Sequence, residues 1–162
     1  MKLTIKSIVL SVACLGLSSL LVSPVLAQSD SQVGIWKLNV AKSKYSPGPA
    51  PKSATTTIEA AGAGTKVSVD QMRVDGTATQ WGFSADYDGK DNPMTGNNPD
   101  ADMIARTRVD ADTIQSISKK DGKVTTTQTS KVSADGKTRT VTTKGMNAAG
   151  KKVNNVAIYD RQ

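Results

Sequence analysis

The chain has 162 residues, 37% of them hydrophobic, with a formal net charge of +7 and a mean hydropathy of −0.33. That length allows one domain behind a leader. It contains no histidine and a single cysteine, which excludes histidine-based triads, histidine zinc sites and the usual imidazole proton shuttle.

Residues 1–27 read as a secretory signal peptide. Lys2 and Lys6 form a positive start, Ser7 to Val22 is apolar, and Val25 and Ala27 are the small residues a signal peptidase reads. Cleavage after Ala27 removes Cys14, so the mature chain has neither a disulfide nor a thiolate. It also removes two lysines, leaving a surplus of about +5. That surplus is read as spread along the chain. No arginine-rich run and no aromatic interleaved with basic residues occurs, so nucleic acid is not an expected partner. Weak contact with an anionic envelope surface is the one charge-based partner left open. The expected location is periplasmic or secreted.

Residues 28–162 are expected to form a single β domain. Gln28 to Val33 reads as a loose polar lead-in. Gly34 to Val40 alternates, with Trp36, Leu38 and Val40 on one face. Pro47, Pro49 and Pro51 make residues 41–52 an extended loop. Strands follow at 53–60 and 66–74, with a bulge expected near Gln71-Met72. The segment 77–87 places Thr79, Trp81, Phe83, Ala85 and Tyr87 on one face. Asn92 to Asp102, with Pro93, Gly96 and Pro99, reads as irregular. Further strands are expected at 103–109, 113–119, 123–132, 138–144 and 152–160. Asp-Gly-Lys recurs at 88–90, 121–123 and 135–137 as hairpin chemistry. No segment has a sustained helical period. Short connections in meander order close into an antiparallel up-and-down barrel of about 8–10 strands, which removes the free edges. The closed form is expected to be a monomer.

Gly34-Ile35-Trp36 resembles the Gly-x-Trp motif of the calycin superfamily, which includes lipocalins and fatty-acid-binding proteins. Asn155 to Arg161 is similar to the closing strand of those barrels, and the chain resembles small bacterial secreted lipocalin-like proteins. The resemblance implies a calycin-like barrel holding a small hydrophobic or amphipathic ligand. It also implies structural roles for Gly34, Trp36 and Arg161, with Arg161 stacked on Trp36. The family's carboxylate clamp, however, uses an Arg-x-Tyr on the last strand. Here the triplet is Ala157-Ile158-Tyr159, so only the tyrosine is kept, and Gln128-Thr129 supplies no second cation.

Trp81, Phe83 and Tyr87 are the strongest ligand-binding candidates, with Tyr159 and Met103 beside them. Core filling is the competing role for the aromatic residues. Apolar parity places Met103, Ala105, Thr107 and Val109 inside and Arg106 and Arg108 outside; the alternative, a polar interior, would point the two arginines in to pair with an anionic headgroup. Asp86, Asp88 and Asp91 cluster without the spacing of a calcium loop, so neither a metal nor a cofactor is expected. The expectation is a non-catalytic binding barrel outside the cytoplasm. The alternative is a structural or protein-interaction protein of the cell envelope with a side-chain-filled barrel.

Overall fold

The computed structural model describes residues 30–162, and the expected signal peptide lies outside them. Ten strands form: β1 Gly34–Leu38, β2 Ser53–Ala61, β3 Gly64–Met72, β4 Ala78–Asp86, β5 Asp88–Gly96, β6 Met103–Arg108, β7 Thr113–Lys120, β8 Lys123–Val132, β9 Thr138–Met146 and β10 Lys152–Arg161. Each pairs antiparallel with its sequence neighbours, and β1 pairs with β10, so the sheet is a closed barrel. This is the antiparallel up-and-down barrel expected from the meander order. A short 3-10 turn, Val40–Lys42, leaves β1, so Val40 departs from the inward face and is exposed.

Alternation decides which side chains enter the barrel. Trp36 and Leu38 point in from β1, and Ala54, Thr56 and Ile58 from β2. Thr65, Val67 and Val69 do so from β3, and Thr79, Phe83 and Ala85 from β4. From β8 the inward set is Thr126, Ser130 and Val132, so Thr125, Thr127 and Thr129 face out. Hairpins hold this register. At the β7–β8 turn, Asp121 and Gly122 both take positive φ, 50° and 73°, the twist a two-residue hairpin needs.

The structure corrects three expectations. Residues 92–96, expected as irregular chain, and 88–90, expected as a hairpin turn, belong to strand β5, and the chain turns at Tyr87. Pro93 is tolerated because Met94 N–H turns towards β6, 2.8 Å from Asp102 O. By alternation Pro93 then faces β4, where the β4–β5 ladder stops at Phe83–Met94 and no donor is missed. No bulge occurs near Gln71, since β2 and β3 pair without interruption from Ser53–Met72 to Ala61–Gly64. The register shifts lie at Asp88/Asp91 and Ser118/Lys119 instead. Lastly, the lead-in is not loose. Gln32 is fully buried across one end of the barrel; its Nε2 donates to Asp112 O at 2.8 Å and its Oε1 accepts from Ser130 Oγ at 2.8 Å. A buried amide persists only where such partners exist.

At this closed end the main apolar cluster joins Trp36, Ile58, Val67, Val69, Phe83 and Ile104 with smaller neighbours. Trp36 Nε1 donates to Gln32 O at 2.8 Å. The Arg161 guanidinium lies 4.2 Å from the Trp36 ring centre and donates to Val33 O, Ser31 O and Gly136 O. Gly34 makes room for it. At φ +142° a Cβ there would sit 2.5 Å from Arg161 Nη1. Gly34→Ala is therefore expected to cost about 1–3 kcal/mol in urea unfolding. Gly150→Ala, also at positive φ but facing open space, should cost less, and equal losses at the two positions would contradict the packing argument.

Candidate functional site

The opposite end of the barrel is hollow. A cavity of about 960 Å³ opens where the segments joining β1–β2, β3–β4, β5–β6 and β9–β10 gather. Trp81, Phe83, Met94 and Ile104, from β4, β5 and β6, form an apolar wall. Ser118, Thr126, Gln128, Thr143 and Asn155, from β7 to β10, form a facing polar wall. The two walls follow directly from the inward positions of the strands. The aromatic residues fall on β4, whereas hydroxyl and amide side chains fill the inward positions of β7 and β8.

The proline segment crosses the mouth as a strap held to β10. Lys44 exchanges both backbone hydrogen bonds with Val156 at 2.8 Å, Asn154 N–H donates to Ser46 O at 2.7 Å, and Asn155 Oδ1 accepts from Ser46 N–H at 2.9 Å. Tyr45 thereby packs against Leu38, Ala54, Val141 and Ala157 while also facing the cavity. Burial drives its phenol well above the ordinary value.

Below the cavity floor lies a layer of cations and rings. Arg106 is 3% exposed, with its guanidinium carbon 5.4 Å from the Phe83 ring centre and 5.0 Å from that of Tyr87. Its Nη1 donates to Thr65 Oγ1, while its Nε has no partner among the described residues. Arg139 lies 5.6 Å from the Tyr159 ring centre and donates through Nε to Ser130 Oγ at 2.8 Å. Burial lowers the affinity of both for their protons, taking Arg139 down to about 10. Among the described residues neither forms an ion pair with a carboxylate. Ring faces supply part of the compensation.

The expected parity on β6 is thus reversed. Ile104 and Arg106 point in, so Met103 lies on the outer face, away from the cavity. The reason is that aromatic faces inside the barrel accept the guanidinium, which apolar counting does not register. Arg108 stacks 4.2 Å from the Tyr87 ring centre and donates to Asp30 Oδ2 at 2.6 Å. Of the ligand-binding candidates, Trp81 and Phe83 line the cavity. Tyr87 and Tyr159 lie deeper, each against an arginine. Asp88 and Asp91 are each paired with a lysine, Lys90 and Lys119. Tyr45, Arg139 and the polar wall escaped the sequence reading. Arg139 carried one signal, since it alternates in phase with Val141, but Thr-rich surroundings masked that pattern.

Asp30 ties the lead-in to this layer, accepting from Tyr87 Oη and Arg108 Nη2, each at 2.6 Å. Burial alone would raise its carboxyl, but hydrogen bonds from Tyr87, Gln32 N–H and Arg108 outweigh it and hold the pKa below the ordinary carboxylate value. A depressed folded-state value adds stability above the unfolded-state value, and that stability is lost as pH falls through the folded one. Asp30→Asn should therefore cost about 1–3 kcal/mol at pH 7 and flatten the acid limb of a stability-versus-pH curve. An unchanged limb would show that the carboxylate contributes nothing there.

No protein-family model matches the chain, and no curated protein matches it. Among solved structures it is similar to zebrafish ileal bile acid-binding protein, crystallised with cholic acid. The identity is 14% and the TM-score 0.49, covering 82% of this chain and 99% of that one.

Proposed function

We propose that this protein binds a small hydrophobic or amphipathic molecule in the open half of its barrel, outside the cytoplasm and without transforming it. The cavity carries this reading. Its volume, about 960 Å³, suits a small organic ligand, and ligand sites are largely apolar with a few placed polar groups. A ligand with one apolar side would lie on Trp81, Phe83, Met94 and Ile104 and turn its polar groups to Thr126, Gln128 and Asn155. The guanidinium of Arg106, under Phe83 and without a carboxylate ion pair among the described residues, gives the floor a positive potential that favours an acid group on the ligand. The leader pattern supports a periplasmic or secreted location. The non-catalytic reading rests on the lack of histidine throughout the chain and on the use of the two lining carboxylates, Asp75 and Asp100, as loop acceptors for Thr77 N–H and Ala148 N–H.

The test uses the two tryptophans. Trp36 is fully buried under Arg161 and Trp81 lines the cavity, so ligand entry should quench Trp81. Titration with a lipophilic naphthalene sulfonate should give saturable quenching, and Ser118→Phe, which narrows the cavity from its polar wall, should weaken it at least about tenfold while the fold survives. Arg106→Met should keep the fold, since an apolar isostere often replaces a buried charge without loss, and should reduce the preference for the sulfonate over a neutral naphthalene. Equal binding by wild type and Ser118→Phe would remove the cavity from the function. No binding by either would favour the structural or protein-interaction role.

A further inference from the structure

The barrel's charge is polarised along its axis. The segments 39–52, 70–77, 97–103, 119–124 and 144–152, which form the mouth and the strand ends leading to it, hold ten Lys and Arg against five Asp. The other described residues hold nine of each sign. The whole surplus of about +5 therefore sits at the mouth, and the expectation that it is spread along the chain is corrected. It is also available for binding. Of those ten cations only Lys119 and Lys120 are ion-paired among the described residues, with Asp91 and Asp102.

Exposed large apolar side chains gather at the same end. Val40, Met72, Val74, Val124 and Met146 lie in the mouth segments; the only others of this kind among the described residues, Ile35 and Val109, lie near the closed end. Val124 is 60% and Met146 54% exposed; Lys123 directly precedes Val124, Lys144 lies two residues before Met146, and Lys152 pairs with Met146 across β9 and β10. Single exposed apolar residues need no explanation; a set interleaved with unpaired lysines around one opening does. Lysines beside short apolar side chains suit the interface of an anionic bilayer, where the cations meet headgroups and the apolar tips enter the acyl boundary. A soluble anionic polysaccharide would use the cations and leave the apolar tips in water.

We propose that the mouth docks on a lipid surface bearing anionic headgroups, with the cavity opening towards the bilayer. This stands independently of whether the cavity takes a ligand. The cation term is screened within about 8 Å at physiological salt, so binding should fall steeply with ionic strength.

The experiment is co-sedimentation of the protein with vesicles of phosphatidylglycerol and phosphatidylcholine, beside vesicles of phosphatidylcholine alone. Binding to the anionic vesicles only, reversed by high salt, is expected. Replacing Lys52, Lys123, Lys144 and Lys152 with Glu should weaken it at least about tenfold. Replacing Lys37, Lys66, Lys131 and Lys137 with Glu gives the same net charge and should change it little. Val124→Ser with Met146→Ser should weaken vesicle binding while leaving retention on immobilised alginate unchanged. Equal losses from the two lysine sets would overturn the proposal in favour of net charge alone. Retention on alginate with no vesicle binding would overturn it in favour of a polysaccharide partner. Ser118→Phe, which narrows the cavity, should dock as wild type does.

Discussion

The barrel closes where its first strand meets its last, and the Arg161 guanidinium holds that junction. It donates to carbonyls of the lead-in and of the β8–β9 turn while lying flat on Trp36. Three separate segments are tied through one planar cation. Its fork geometry allows this, since a lysine ammonium has neither the plane to stack nor the fixed donor directions. The glycine two residues before the tryptophan follows from the same contact. The lead-in is then held from both sides, by Arg161 and by the amide of Gln32.

This closure divides the interior. Near the junction the barrel is solid, with Trp36 and Ile114 fully buried and a layer of arginines stacked on aromatic rings. Farther out the inward positions of β7 and β8 become serine, threonine and glutamine, too small or too polar to pack densely. The hollow is the consequence of that change in side-chain size. Threonine keeps the strand conformation without filling the interior, so the chain can form its sheet and still leave space.

The strand pattern was legible because period-two alternation and Asp-Gly turns act locally. Trp81 and Phe83 could be placed inside for the same reason. The orientation of Arg106 could not, because a buried cation depends on rings from β4 that only the closed barrel brings near it. Gln32 was hidden similarly: its partners, Asp112 and Ser130, lie far away in sequence. Pro93 suggested a loop because its missing donor matters only where a neighbouring strand is paired. Each difference arose where non-local contacts overrode a local preference.

Two junctions in the wall are short. β1 meets β10 over three residue pairs, and β4 meets β5 over three, against nine between β3 and β4. The first is reinforced by Arg161 and by the strap along β10. The second has a clasp at its outer end, where Asn97 N–H reaches Gln80 O and Asn97 Oδ1 accepts from Gln80 N–H, each at 2.9 Å, and one side-chain bond, from Thr95 Oγ1 to Gly82 O at 3.2 Å. Below Phe83–Met94 its facing edges run unbonded to the turn at Tyr87. Local opening begins where the fewest hydrogen bonds must break, so thermal breathing of the cylinder is concentrated along this slit. Trp81 and Phe83 stand on one lip of it and Met94 on the other, which makes the apolar side of the chamber also its most yielding side.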